Sequence, residues 1–116
     1  MALATDLPIY RAAYELLMLV TKLTQQFPRG YRQGLARDIC SVSQDLVKHI
    51  FQANCTTNKS PIIERLREEL ATLQLQLRLS KDLHLISAGQ FGATVVLTDA
   101  VGKQASGWLK FSRGRA

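Results

Sequence analysis

Cysteine and histidine are scarce in this chain, and their scarcity limits the chemistry it can perform. The 116 residues include two cysteines and two histidines. Cys40 and Cys55 do not form a C-x-x-C pair, which argues against zinc binding and dithiol chemistry. His49 follows Asp45 by one helical turn, but two ligands do not make a metal site, and His84 is expected to be a surface or capping residue. The sequence therefore predicts neither a metal nor another cofactor.

Catalytic motifs and long apolar runs are lacking as well. The chain has no Gly-rich phosphate loop, nucleophile elbow or paired-carboxylate arrangement, so it is not expected to be an enzyme. Its longest apolar run, residues 16–20, is far shorter than the about 20 residues that cross a bilayer. Residues 1–6 have neither a basic start nor a long apolar stretch, so no secretory signal is expected. These features predict a cytoplasmic protein without a membrane-spanning segment.

Apolar residues instead recur at helical spacing in four segments. Steps of three and four residues place them on one helix face, and no alternation of period two competes elsewhere. Thr94, Val95 and Val96 favour a strand locally, but the longer period in their segment predicts a helix. The four rows run from Ile9 to Phe27, Tyr31 to Ala53, Ile63 to Leu77 and Phe91 to Trp108.

Capping residues mark where these helices are expected to begin. Asp6 is the predicted N-cap of the first helix, with Pro8 in its first turn. Ser60 is the predicted N-cap of the third helix. Ser87 and Gln90 have capping-box spacing before the fourth helix, so the side chain of each can bond the backbone N–H of the other.

The predicted fold is all-α, an up-down-up-down antiparallel four-helix bundle, because the connections are short. Residues 1–111 form its single domain, and 112–116 form a short basic polar tail. Leu75, Leu79 and Leu83 widen the apolar stripe of the third helix beyond the need of one core, which predicts a homo-oligomer. Small residues that permit close helix contact lie in the fourth helix at Gly102, Ala105, Ser106 and Gly107.

The charge balance points to a polyanionic partner. Fifteen basic residues against nine acidic ones give a formal net charge of +6. Pairs at i,i+4, such as Arg11 with Glu15, are typical of a solvated helix face and account for part of the charge. A compact basic helical domain without a catalytic site most often binds a polyanion, and RNA or DNA held through its phosphates would be such a ligand. On charge alone, the predicted contact residues are Arg29, Arg32, Lys103, Lys110, Arg113 and Arg115.

Aromatic residues add little to this prediction. The chain has three tyrosines, four phenylalanines and one tryptophan. They lie mostly on the apolar rows, so packing in the core is expected for most of them. This pattern does not support base stacking of the kind that single-strand binders use.

Four stretches of the sequence resemble the accessory variability determinant (Avd) proteins of diversity-generating retroelements. The first helix and its exit are similar in residues 7–17, LPIYRAAYELL, and 23–29, LTQQFPR. The end of the third helix is similar in residues 77–83, LRLSKDL, and the fourth helix in residues 101–110, VGKQASGWLK. Ser80 and the Ala-Ser pair before Gly107 depart from the family pattern, but these residues remain small and leave the fold unaffected.

The resemblance implies a four-helix protomer in a ring-like homopentamer, without catalysis of its own. It implies two partners, a cognate reverse transcriptase and the template-repeat RNA. Their complex makes adenine-mutagenised cDNA that replaces a variable region of a target gene, the process of mutagenic retrohoming. Only Arg78 and Lys81 carry over by position as basic contact residues, and these two could instead serve packing and pairing.

Two alternatives remain open at the level of sequence. Ribosomal intervening-sequence proteins share the bundle and the first-helix pattern, so the chain could be such a bundle protein with an unassigned interaction role. A small helical enzyme with a distributed site is the other alternative. A polar pocket with a perturbed histidine or carboxylate would favour the enzyme.

Overall fold

The computed structural model describes residues 3–114, most of which are helical. The elements are a 3-10 turn (Ala4–Asp6), α1 (Pro8–Thr24), α2 (Arg29–Tyr31), a π-helical segment (Arg32–Ala36), α3 (Arg37–Cys55), α4 (Ser60–Asp82) and α5 (Ala88–Gly114). No strand occurs among these described residues, which confirms the all-α prediction, including its choice of a helix at Thr94–Val96. Because α2, the π-helical segment and α3 follow one another without a break, they form one continuous helix. Together with α1, α4 and α5, the described residues form four long helices.

The long helices pack in a closed order: α1 on α3, α3 on α4, α4 on α5, and α5 back on α1. Tyr10, near the start of α1, meets Phe51, near the end of α3. Arg113, at the end of α5, pairs with Glu64, near the start of α4. In each of these contacts, the start of one helix lies beside the end of its neighbour. Neighbouring helices are therefore antiparallel, and the bundle runs up-down-up-down.

The bundle has two ends, which are named here by a proline at each. The Pro8 end contains the starts of α1 and α4 and the ends of α3 and α5. The Pro28 end contains the ends of α1 and α4, together with α2 and the start of α5. The molecule measures 46 × 22 × 22 Å, so the long dimension runs between the two ends.

A continuous apolar core fills the space between the four helices. Each fully buried Leu, Ile or Phe side chain contributes about 1.5–3 kcal/mol relative to exposure, so this core is the main source of stability. The predicted apolar rows supply it almost entirely. The largest fully buried side chains are Phe27, Leu16, Ile39, Leu46, Ile50, Ile63, Leu66 and Leu73.

One predicted cap is confirmed and two are wrong. The backbone N–H of Ser87 donates to Gln90 Oε1 at 2.8 Å, and that of Gln90 donates to Ser87 Oγ at 3.0 Å. Asp6 lies in the 3-10 turn, and Leu7 occupies the cap position of α1 without a side-chain cap bond. Ser60 is already helical, because the carbonyl of Lys59 accepts the first bond, from the N–H of Ile63.

His84 ends α4 in a left-handed conformation, with φ of 62°. The N–H of Leu85 donates to the carbonyl of Ser80 at 2.8 Å, and the N–H of His84 donates to that of Lys81 at 2.9 Å. These two bonds form a Schellman motif, which satisfies the last carbonyls of the helix. His84 is exposed, so its expected role as a surface or capping residue is confirmed.

The last helix extends further than the sequence suggests. α5 continues to Gly114, into the segment 112–116 that was expected to be a polar tail. Buried hydroxyls within it are satisfied locally, since Thr94 Oγ1 donates to the carbonyl of Phe91 and Thr98 Oγ1 to that of Val95. Within residues 3–114, none of the helices combines the length and the hydropathy required to traverse a bilayer.

Candidate nucleic-acid interface

The predicted contact residues do not form one patch. Arg29, Arg32, Arg78 and Lys81 lie towards the Pro28 end, whereas Lys103, Lys110 and Arg113 follow α5 towards the Pro8 end. Lys81 contacts Phe91, and Lys110 lies nineteen residues further along α5, which corresponds to about 28 Å of helix. Arg115 lies outside the described residues. The structure therefore divides the predicted site into two basic regions.

Arg32 is held against the exit of α1. Its Nε donates to the carbonyl oxygen of Phe27 at 3.2 Å, which satisfies a group beyond the helix end and orients the guanidinium. Arg32 and Arg37 then line an open groove of about 370 Å³ between α1 and α3, with Gln25 beside them. This groove adjoins the π-helical segment, a kind of irregularity that often accompanies functional sites. The neighbouring Arg29 is exposed.

Arg78 and Lys81 both have partners within the chain. Arg78 Nε lies 3.4 Å from Asp82 Oδ2, in an exposed i,i+4 pair. Lys81 Nζ lies 5.1 Å from the centre of the Phe91 ring, which is a cation–π contact between α4 and α5. An exposed pair of this kind contributes little to stability, so Arg78 remains free to exchange Asp82 for an external anion.

The basic residues of α5 differ in their surroundings. Lys103 borders an open groove of about 510 Å³ between α4 and α5, opposite Gln74 and next to Asp99. Lys110 is exposed, and no ion pair within the described part of the chain includes it. Arg113, expected to be uncompensated, instead bonds the carboxylate of Glu64, so that expectation is wrong.

Sequence reasoning did not group the exposed bases of the facing helices α1 and α3 into one set. The surface where these two helices meet is called here the α1–α3 seam. All of these bases are exposed, and none forms an ion pair with another described residue. Arg11 was expected to pair with Glu15, but no such ion pair forms. Helical spacing alone places Arg11 beside Tyr14 and Lys48 beside Phe51, but the packing of α1 on α3 is needed to bring the two pairs together. The set comprises Arg11, Lys22, Arg37 and Lys48.

A further polar cluster lies between α3 and α4, away from both basic regions. His49 is buried there, close to Glu69 and Asp45. Burial raises the pKa of Glu69 above its usual value of 4.5, and the Asp45 charge raises it further, while His49 and Arg65 lower it. No group of three His, Cys, Asp or Glu side chains within residues 3–114 is arranged to hold a metal ion.

The sequence is similar to a known protein family. A family model described as bAvd-like matches residues 9–112, from the first turn of α1 to the last turns of α5. None of the curated proteins matches the chain. The match covers nearly all of the bundle and every described contact residue except Arg113.

Proposed function

This chain belongs to the bAvd-like family, and on that basis we propose that it is a non-catalytic accessory factor of a diversity-generating retroelement. It binds the cognate reverse transcriptase and the template-repeat RNA, and it enables the mutagenic cDNA synthesis that precedes retrohoming. Membership of the family over residues 9–112 is the observation that carries this proposal.

The charge distribution supports RNA as a ligand. Exposed bases without an intramolecular ion pair lie on both basic regions, and the formal net charge is +6. These side chains would replace the counterions condensed on the phosphates of a folded RNA, which makes affinity depend steeply on salt and weakly on sequence. The proposed contact residues are Arg29, Arg32, Arg78, Lys81, Lys103, Lys110, Arg113 and Arg115.

The accessory acts by holding two large partners together. A protein that binds both the polymerase and its template raises their effective concentration and fixes their relative orientation. Assembly into a homo-oligomer, with a pentamer as the proposed form, would repeat each basic region around a ring and so strengthen this effect. Leu75, Leu79 and Leu83, which are all exposed on α4, support such an assembly because they need a partner to cover them.

Paired charge reversals test the RNA-binding part of the proposal. One variant carries Arg29→Glu and Arg32→Glu, and a second carries Lys103→Glu and Lys110→Glu. Each should weaken the binding of template-repeat RNA at least about tenfold at low salt and flatten its salt dependence, with helicity retained. Binding is measured by fluorescence anisotropy over a range of salt concentrations.

The matched control is Arg65→Glu with Arg67→Glu, which changes the net charge equally at two α4 positions outside the set of predicted contact residues. It should lose less affinity than either test variant. If the three variants lose the same affinity, only total charge matters and the named contacts are wrong. If the unaltered protein binds neither RNA nor the polymerase, the role of a plain bundle protein of the intervening-sequence kind replaces this proposal.

A further inference from the structure

Three aromatic rings form a cluster on the α1–α3 seam, near the Pro8 end. The rings of Tyr10 and Tyr14 stack, with centroids 5.9 Å apart and planes inclined by 21°. The Phe51 ring meets the Tyr10 ring edge-on, with centroids 5.4 Å apart and an angle of 87°. Tyr10 is partly buried and packs against the core, so it holds the two outer rings in defined positions.

The two outer rings remain open to solvent. Tyr14 exposes 45% of its surface and Phe51 exposes 43%, whereas Phe27 is buried in the core. Packing within the bundle therefore accounts for Tyr10 but leaves the outer faces of Tyr14 and Phe51 without a partner in the described part of the chain. Large apolar side chains that are exposed next to each other commonly mark a binding surface.

Each outer ring has a basic neighbour on its own helix. Arg11 precedes Tyr14 by three residues on α1, and Lys48 precedes Phe51 by three residues on α3. Residues three apart are neighbours on a helix surface, so each charge lies next to a ring. Neither base forms an ion pair within residues 3–114. The surface thus combines two accessible rings with two uncompensated positive charges.

We propose that this surface, called here the Tyr14–Phe51 surface, binds single-stranded nucleic acid. Unpaired bases stack on the two rings, and the adjoining phosphates lie against Arg11 and Lys48. A duplex hides the faces of its bases, so only an unpaired stretch can use exposed rings in this way. The inference rests on the proposed RNA binding and adds to it a second mode, base stacking, beside the phosphate contacts at Arg29, Arg32 and along α5.

The seam offers room for several nucleotides. Phe51 and Arg37 are fourteen residues apart on α3, which corresponds to about 21 Å of helix. At its far end the seam opens into the groove that Arg32 and Arg37 line together with Thr21 of α1, the residue before Lys22. A strand that begins on the rings therefore meets positive charge as it continues towards the Pro28 end.

Charge favours nucleic acid over a protein as the occupant. A protein partner would also cover exposed rings, but the unpaired bases along the seam would attract it only where it carries acidic groups. A nucleic-acid strand supplies one negative charge per nucleotide and a flat apolar face per base, which matches both features of the surface at once. The alternation of ring and charge is thus explained by a single ligand.

The decisive experiment compares ring variants on two RNA ligands. The ligands are an oligouridylate of about 12 nucleotides, within the roughly 4–16 nucleotides that known single-strand modules cover, and a duplex of equal length. The variants are Tyr14→Leu with Phe51→Leu, which keeps apolar bulk but removes both rings, and Phe51→Trp, which keeps stacking. Val96→Ala, at a residue of α5 that is 68% exposed, controls for the loss of exposed apolar surface.

The leucine double variant should bind the oligouridylate about 5-fold to 150-fold more weakly, as expected for the loss of one stacked base or more. Its affinity for the duplex should not change, and Phe51→Trp and Val96→Ala should bind the single strand as the parent does. Light scattering on each variant must give the mass of the parent assembly.

Three results would overturn the inference. If the double variant binds the single strand normally while the parent binds both RNAs, the rings do not stack on bases and the proposed function stands. If the double variant changes the mass of the assembly, the rings form a subunit contact instead. If the parent binds neither RNA, the inference fails together with the RNA-binding part of the proposed function.

Discussion

His49 of α3 and Glu69 of α4 face each other across the bundle, with His49 Nδ1 3.3 Å from Glu69 Oε2. The two atoms are buried but are not aligned for a hydrogen bond, so their attraction is not reinforced by one. Desolvation outweighs this attraction and raises the pKa of Glu69, and the nearby Asp45 charge adds to the rise. The ionised form of Glu69 therefore costs free energy in the folded protein.

A neutral substitution at Glu69 should reveal this cost through pH. Because the pKa of Glu69 is higher in the folded state than its ordinary value of 4.5, the folded protein binds more protons just above that pH. The parent should thus lose free energy of unfolding, relative to Glu69→Gln, as the pH rises from below 4.5 to neutrality. Thermal unfolding of both proteins, followed by circular dichroism across this range, measures the difference.

Glu68→Gln is the control for removing an acidic side chain from α4, since Glu68 is exposed at the adjoining position. A difference between parent and Glu69→Gln that stays constant with pH, or that grows in favour of the parent towards neutral pH, would show that the ion pair with His49 outweighs desolvation.

Replacing His84 should stabilise the protein if the new residue is glycine. His84 holds φ at 62°, a conformation that costs a side-chain-bearing residue about 1–2 kcal/mol and that glycine adopts freely. His84→Gly should therefore raise the free energy of unfolding by about 1 kcal/mol, which chemical denaturation can measure. His84→Ala removes the imidazole without relieving the backbone, so a gain of equal size in that variant would contradict the explanation.

The exposed leucines of α4 predict how the protein assembles. Leu75 exposes 70% of its surface, and Leu79 and Leu83 continue the same stripe by steps of four residues. Leu75→Gln with Leu79→Gln should dissociate the proposed homo-oligomer without loss of helicity, since neither residue belongs to the core. Val96→Gln, at a residue of α5 that is 68% exposed, is the matched control and should leave assembly intact.

Light scattering at micromolar concentration measures this outcome directly. A parent that runs only as a 12.9 kDa monomer would refute the predicted assembly. An oligomer that persists in the double glutamine variant would mean that another surface forms the subunit contact.

Features that depend on neighbouring residues were predictable from the sequence. The apolar rows, Pro8 in the first turn of α1, and the reciprocal bonds of Ser87 and Gln90 all follow from spacing within one helix. The prediction of an N-cap at Ser60 was wrong because Lys59 occupies the cap position. The Lys59 Nζ donates to the carbonyl of Ala53, near the end of the preceding helix, at 2.7 Å. Capping preferences along the sequence do not account for such a contact with another helix.

The candidate interface was less predictable because it depends on which helices meet. Arg113 and Glu64 are 49 residues apart, so their pairing could not be read from charge spacing along one helix. Tyr14 and Phe51 both lie beside the apolar rows of their helices, and only the packing of α1 on α3 brings both against Tyr10 on one surface. The expectation that most aromatic residues pack in the core is nevertheless confirmed, as Phe27, Tyr31 and Trp108 show.

Reconstituted cDNA synthesis tests the accessory role most directly. The cognate reverse transcriptase and the template-repeat RNA are incubated with and without this protein, and the template-repeat cDNA is quantified and sequenced. The account predicts that cDNA primed on the template RNA, with mutations at adenines, forms only when the protein is present, and that the protein alone polymerises nothing. Equal yield and equal adenine mutagenesis in its absence would contradict the account.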